Sequence, residues 1–375
     1  MSENKKRRFI ISGGGTGGHI FPALAIANRI KKELPDCEIL FIGANGKMEM
    51  QRIPEAGYEI VGLDIYGISR DFSLKGIASN LKLPFRWRKS IRKVKRIIKE
   101  FAPDVVIGVG GFASAPALKA ATSLGIPTLI QEQNSCPGVS NKMLAGKVDK
   151  ICVAYEGLEK HFPQEKIVMS GNPVREAILN IEDKSDEAYS FFGLEKNKKT
   201  ILVVGGSLGA RAINEAIAQN LDEIEKSGVQ LIWQTGELFY RNISPELLQR
   251  QNKRIKIMPF IKEMGKAYSV ADIIISRAGA IAIAELMIVG KPVILVPFPY
   301  AAEDHQTKNA RALSDRDAAI LIHDHEAKEK ILPALMQLIK DESKQHQMKT
   351  NIKAMAQPDA IEVILKEVLS LTVDS

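Results

Sequence analysis

Cysteine is scarce in this chain of 375 residues. Cys37, Cys136 and Cys152 are an odd number without CxxC spacing. That pattern predicts neither a disulfide framework nor a zinc site, and a reducing compartment fits it best. Long apolar runs are missing as well. The stretches near 104–130 and 281–302 are broken by Lys119, Glu285 and Lys291, so they read as strand–helix–strand units rather than membrane spans. The segment Met1–Arg8 is polar and basic, and the apolar stretch after it is too short for a signal sequence. No Gly-x-x-x-x-Gly-Lys-Ser/Thr occurs, which disfavours a nucleotide triphosphatase. Acids nearly vanish between Arg70 and Lys99, where Asp71 stands against eleven basic residues.

What remains is ordinary for a soluble globular protein: 45% hydrophobic and 26% charged residues, in a length that suits two domains. A net charge of +8 points to acidic partners such as nucleic acid, anionic lipid or phosphorylated substrates, although a basic balance alone is unspecific. More telling is a unit that occurs twice. Phe9-Ile10-Ile11-Ser12 runs into Gly13-Gly14-Gly15-Thr16-Gly17-Gly18-His19, and Ile201-Leu202-Val203-Val204 runs into Gly205-Gly206-Ser207-Leu208-Gly209-Ala210-Arg211. In each, a buried parallel strand meets a turn whose backbone N–H groups and following helix start attract anions. Two such turns suggest two phosphate-bearing substrates.

Gly13, Gly15 and Gly18 satisfy GxGxxG, which alone would suggest a nicotinamide or flavin enzyme. Such a site also wants an acid at the end of the second strand, and there the chain has Gly43, Ala44 and Asn45. His19 stands at a helix start, which disfavours imidazolium and suits a neutral general base. A capping or supporting role for His19 explains its position equally well.

Strand-like runs at 38–42, 105–109, 128–131, 150–153, 201–204, 230–234, 273–276 and 293–296 alternate with helical patterns. This predicts an α/β protein with parallel sheets. Asp104-Val105-Val106-Ile107-Gly108-Val109-Gly110-Gly111 lines up with Asp272-Ile273-Ile274-Ile275-Ser276-Arg277-Ala278-Gly279, so the repeat extends through each half. We expect two Rossmann-like doubly wound domains with an interdomain cleft: residues 1–175, rejoined by a C-terminal helix at 358–375, and residues 176–357. The polar stretch 180–200 follows the joint, and Pro358 opens the last helix.

Gly14-Gly15-Thr16-Gly17-Gly18-His19, Gly110-Gly111-Phe112, Glu132-Gln133-Asn134, Gly171-Asn172-Pro173-Val174-Arg175, Gly205 to Arg211 and Arg277-Ala278-Gly279-Ala280 together resemble the MurG family. The resemblance runs in order from about residue 9 to the C-terminal helix. It implies a GT-B glycosyltransferase with no cofactor and no metal in its chemistry. The family moves N-acetylglucosamine from UDP-GlcNAc to the C4 hydroxyl of lipid I, with inversion, to make lipid II at the cytoplasmic face of the inner membrane. Carried onto this chain, the donor contacts fall on Thr16, Gly17, Gly18, Asn134, Arg175, Ser207, Ile261 through its backbone, the run Ala280, Ile281, Ala282, Ile283, Ala284, Glu285, and Gln306. His19 becomes the candidate base, and Gly14, Gly15, Gly110 and Gly111 become candidates for the acceptor diphosphate. Glu285 is placed to accept from both ribose hydroxyls. Phe112 replaces a tyrosine found in some members, Ala282 and Ala284 replace hydroxyl residues, and His305 stands where some have a second glutamine. A UDP-sugar epimerase or another lipid glycosyltransferase of the same fold is the alternative.

Around the basic run, Leu74, Ile77, Leu81, Leu83, Phe85 and Trp87 interleave with the cations. Ile91, Val94, Ile97 and Ile98 recur at helical spacing and suit a stripe packed on the core. Phe85 and Trp87 fit that stripe less well and suggest insertion at an anionic membrane surface. The expected partners are therefore UDP-GlcNAc, lipid I and the inner membrane, with no nucleic acid.

Overall fold

The computed structural model describes residues 6–65, 83–206 and 208–373. The chain divides into two compact units, Met1–Val174 with Asp359–Ser375, and Arg175–Pro358. Among the described residues the first holds seven strands: β1 Arg8–Ser12, β2 Glu38–Ala44, β3 Glu59–Leu63, β4 Val105–Gly108, β5 Thr128–Glu132, β6 Lys150–Val153 and β7 Ile167–Met169. The second holds six: β8 Thr200–Val204, β9 Gln230–Gln234, β10 Ile255–Met258, β11 Ile273–Ser276, β12 Val293–Leu295 and β13 Ile320–Leu321. Six helices matter below: α1 Gly17–Glu33, α2 Glu49–Glu55, α3 Leu83–Phe101, α4 Ala280–Val289, α5 His305–Ser314 and α6 Ala360–Val373.

The sheet orders are β3-β2-β1-β4-β5-β6-β7 and β10-β9-β8-β11-β12-β13. Neighbouring strands are parallel, and successive residues feed opposite faces. Ile10, Ile42 and Val106 join one apolar cluster while Phe9, Ile11 and Ile107 join the other. In the second unit, Leu202 and Ile274 oppose Ile201 and Ile273 in the same way. Burying each such side chain stabilises the fold by about 1.5–3 kcal/mol. This double-sided burial is why the central strands are nearly unbroken in Ile and Val.

The internal repeat is also a repeat of hydrogen bonds. The Arg8 N–H donates to Asp104 Oδ2 and the Thr200 N–H donates to Asp272 Oδ2, each at 2.7 Å. Each aspartate's own N–H returns a bond to the partner's carbonyl at 2.8 Å. These clamps set the register of β1 on β4 and of β8 on β11, the pairs where each strand order reverses. Ligands of open α/β sheets bind at that switch point, and both glycine turns open there.

The first unit is completed by α6. Its Ile361, Ile364, Leu365 and Val368 lie in one cluster with Phe9, Ile20 and Ile107. Arg29 of α1 clasps Glu362 through two N–H···O bonds of 2.7 and 2.9 Å.

Candidate active site

Two backbone loops interlock at the switch point of the first unit. Gly111 has a φ of +85°, and a Cβ there would stand 2.3 Å from the Gly14 carbonyl oxygen. No side chain fits, so the loops after β1 and β4 touch through bare backbone. Thr16 caps the start of α1, and its carbonyl accepts the N–H groups of His19 and Ile20. Thr16 and Gly18 are exposed and Gly17 is half-buried.

His19 lies half-buried over this junction. Its Nδ1 stands 3.0 Å from the Gly14 carbonyl oxygen and 3.4 Å from Thr16 Oγ1. A carbonyl can only accept, so Nδ1 carries the hydrogen and the basic lone pair belongs to Nε2. The ring lies on Gly110, with Nε2 2.8 Å from where a Cβ would be. This is the tautomer a general base acting through Nε2 requires.

Two buried carboxylates organise the neighbouring loops; sequence reasoning missed Glu49 and quoted Glu132 within a motif without giving it a role. Glu49 is 1% exposed; its Oε2 accepts from the Gly15 N–H at 2.8 Å and its Oε1 from the Ala44 N–H at 3.0 Å. The N–H of Gly15 is therefore already committed, and a diphosphate would have to displace Glu49 to use it. Glu132, at the end of β5, accepts from Asn134 N (3.0 Å), Gly138 N (3.0 Å) and Asn141 Nδ2 (2.8 Å). It thereby fixes the loop that presents Asn134. An acid within a few residues of the end of a buried strand was the available signal in both cases.

In the second unit, the loop after β8 is drawn tight by a Gly209 N–H···O=C Gly206 bond of 3.0 Å. A Cβ on Gly209 (φ +79°) would meet the Thr235 carbonyl at 2.1 Å. Ser207 lies outside the described residues. Gln234 bridges two loops: its Nε2 donates to the Gly206 carbonyl at 3.0 Å, and its Oε1 accepts from Ile261 N at 2.9 Å. The Ile261 N–H is thus committed, which leaves its carbonyl as the backbone group able to face a base.

Helix α4 follows Gly279, and its first turn carries the N–H groups of Ala280, Ile281 and Ala282 without intrahelical partners. Ile283 belongs elsewhere. Its side chain is fully buried in the apolar cluster and its N–H donates to the Gly279 carbonyl at 2.9 Å, so both groups are committed within this unit. Ala284 is buried too. Glu285 is only 6% exposed. Arg175 Nε and Nη2 donate to its Oε1 at 3.0 and 2.8 Å, and Tyr268 donates its hydroxyl to Oε2 at 3.2 Å. Burial pushes the Glu285 carboxyl above its ordinary range, against the opposing pull of Arg175. A carboxylate offers about four acceptor positions and three are occupied. Accepting from both ribose hydroxyls therefore requires one of these three donors, from Arg175 or Tyr268, to let go.

Gln306, in the first turn of α5, accepts the Phe298 N–H at 2.9 Å and keeps its amide N–H groups for other partners. Glu303 and Asp304 just before it have φ of +53° and +55°, uncommon for residues with a Cβ. Arg277 donates to the Val296 and Pro297 carbonyls at 3.0 and 3.1 Å and so fixes the segment that Gln306 binds. Among the described residues, no cluster of three His, Cys, Asp or Glu side chains could hold a metal ion.

Residues 9–153 match the glycosyltransferase family 28 N-terminal domain, and residues 200–364 match the C-terminal domain of the same family. A protein of Cytophaga hutchinsonii is 51% identical over 99% of this chain and 98% of its own length. One of Parabacteroides distasonis is 51% identical over 98% and 99%. Both are named UDP-N-acetylglucosamine--N-acetylmuramyl-(pentapeptide) pyrophosphoryl-undecaprenol N-acetylglucosamine transferase. The crystal structure of Acinetobacter baumannii MurG superposes with a TM-score of 0.76 at 30% identity, covering 97% of this chain and 99% of that one.

The chain belongs to the MurG family. It is a glycosyltransferase with the GT-B pair of Rossmann-like units. Of the basic run in this MurG homologue, Arg70, Lys75 and Lys82 lie outside the described residues, as do Asp71, Leu74, Ile77 and Leu81. The rest lies on α3. Trp87 and Ile91 pack against the core of the first unit, and Val94, Ile97 and Ile98 are buried. The membrane-inserting role expected for Trp87 is therefore corrected: its indole belongs to the packed face. Phe85 is 73% exposed, and Arg88, Lys89 and Arg92 are exposed on the same helix. Among the described residues no helix is long and apolar enough to cross a membrane.

Proposed function

We propose that this chain transfers N-acetylglucosamine from UDP-GlcNAc to the C4 hydroxyl of the muramoyl-pentapeptide of lipid I, with inversion, forming lipid II. The observation that carries the reading is 51% identity along 99% of the chain to a transferase of that name. In this reading His19 Nε2 takes the proton of the attacking hydroxyl, because Nδ1 is held as a donor by Gly14. The start of α4 faces the diphosphate, where aligned N–H groups stabilise the charge that develops on leaving UDP. Glu285 and Arg175 hold the ribose side of the donor, the Ile261 carbonyl faces the uracil, and Thr16, Gly17, Gly18, Asn134, Ser207 and Gln306 complete the contacts. Residues 176–357 then form the donor domain, while the acceptor belongs to the first unit. The test is incubation with UDP-GlcNAc and a lipid I analogue. Lipid II is the expected product; consumption of UDP-GlcNAc with release of free sugar and no lipid product would support an epimerase instead. Donor binding should persist in EDTA.

We further propose that α3 meets an anionic membrane at the cytoplasmic face. The exposed Phe85 and its cationic neighbours support this, since each basic residue near anionic lipid contributes about 1 kcal/mol. Vesicles containing anionic lipid should bind the protein, and less so as salt shortens a Debye length of ~10 Å at 0.1 M. Replacing Arg88, Lys89 and Arg92 by glutamine should weaken binding several-fold, and so should Phe85→Ser. Activity on a short-chain soluble acceptor should persist in both. Unchanged vesicle binding in both variants would assign the patch to solvated charge.

A further inference from the structure

We propose that Glu49 is a positioning residue for His19: its carboxylate, the Gly14–Gly15 peptide group and the imidazole form one hydrogen-bonded relay that fixes the ring's tautomer and favours its protonated form. The geometry is specific. The Gly14 carbonyl, which accepts from His19 Nδ1 at 3.0 Å, and the Gly15 N–H, which donates to Glu49 Oε2 at 2.8 Å, are the two ends of a single amide. A carboxylate on the N–H end polarises that amide and makes its oxygen a stronger acceptor, as chains of hydrogen bonds do in a low dielectric. The negative charge so transmitted stabilises imidazolium, in the manner of a carboxylate orienting a histidine through direct contact. Here a peptide group stands between the two, and it carries polarisation and no proton.

The slot is built for this side chain. A Cβ on Gly14 would lie 2.2 Å from the Glu49 carboxyl carbon, and one on Gly43 would lie 2.6 Å from its Cγ. Two glycines thus clear the space for one buried acid. Both groups it touches, the Gly15 and Ala44 N–H, are donors. Glutamine would offer one acceptor and one opposing NH₂, so only a carboxylate satisfies both. Thr16 Oγ1 and the Gly110 backbone also lie against the ring, and neither carries a charge.

This inference rests on His19 being the base, but its test is separable. Nitrogen chemical shifts of His19 in the full-length protein should show hydrogen on Nδ1 and the lone pair on Nε2 when the ring is neutral; the opposite tautomer overturns the relay without any variant. In Glu49→Gln the midpoint of His19 titration should fall by roughly half a unit or more, because an anionic partner is lost. The acid limb of the kcat/KM profile should move to lower pH with it, and kcat should drop more than KM rises. Glu49→Asp keeps the charge but sets it back from the Gly15 N–H, and its midpoint should fall between those of the parent and Glu49→Gln. A His19 midpoint unmoved in Glu49→Gln makes Glu49 a plain loop staple and sinks the proposal. Loss of the base reading would show instead as surviving turnover in His19→Ala.

Discussion

Replacing His19 by alanine is expected to lower turnover by roughly 10²–10⁴-fold while leaving UDP affinity nearly unchanged. The split follows from geometry. The Nδ1–H···O=C Gly14 bond anchors the ring and Nε2 carries the lone pair, so the variant removes a proton acceptor from the first unit. The donor residues of the second unit are untouched. Steady-state assays with UDP-GlcNAc and a lipid I analogue, alongside calorimetry of UDP, read both quantities. Turnover within a few-fold of the parent would make His19 a scaffold for the glycine loop and move the base elsewhere.

Glu285→Ala should weaken UDP binding by one to two orders of magnitude, as hydrogen bonds to a charged group contribute about 1.5–3 kcal/mol. Apparent affinity for the acceptor should barely change. The substitution also strands the buried Tyr268 hydroxyl, whose partner is Glu285, so some loss of Tm is expected. Glu285→Gln separates the two effects. It keeps the shape and an acceptor for Tyr268, and it removes a carboxylate whose ionisation burial already opposes. Its Tm should exceed that of Glu285→Ala while UDP affinity still falls. The same raised carboxyl sets a pH dependence. The ionised form accepts the ribose hydroxyls, so UDP affinity should decline as pH is lowered, starting above the pH at which an ordinary glutamate protonates. Equal UDP affinity for the parent and both variants would remove Glu285 from the donor site.

The interior of the fold was legible in the residues, and the periphery was not. The strands recognised from apolar runs are β1, β2, β4, β5, β6, β8, β9, β11 and β12, and the four left out, β3, β7, β10 and β13, are the four sheet edges. A central strand is buried on both faces and spells itself in Ile and Val. An edge strand is half wetted: Ile255-Lys256-Ile257-Met258 alternates buried with partly exposed residues, and β13 is two residues long. The site divides along a similar line. Glycine turns and helix starts announce themselves because backbone chemistry demands glycine there. Glu49 sits in the run Lys47-Met48-Glu49-Met50-Gln51, flanked by Lys47 and Gln51, and looks like surface until the chain folds it under the first loop. Gln234 ends a strand and is equally silent about bridging Gly206 to Ile261. Trp87 misled in the opposite direction, since cationic neighbours in sequence hid a packed face in space.

The placement of α6 governs the order in which this protein can be made. Phe9, Ile20 and Ile107 leave the ribosome early, yet the apolar residues that join them there, from Ile361 to Val368, are synthesised only after the whole of Arg175–Pro358. At roughly 5–20 residues per second, that delay is on the order of ten to forty seconds. The second unit, contiguous in the chain, can close first. Meanwhile the nascent first half carries an uncovered oily flank, a natural target for holding chaperones and a hazard whenever translation stalls before α6 emerges.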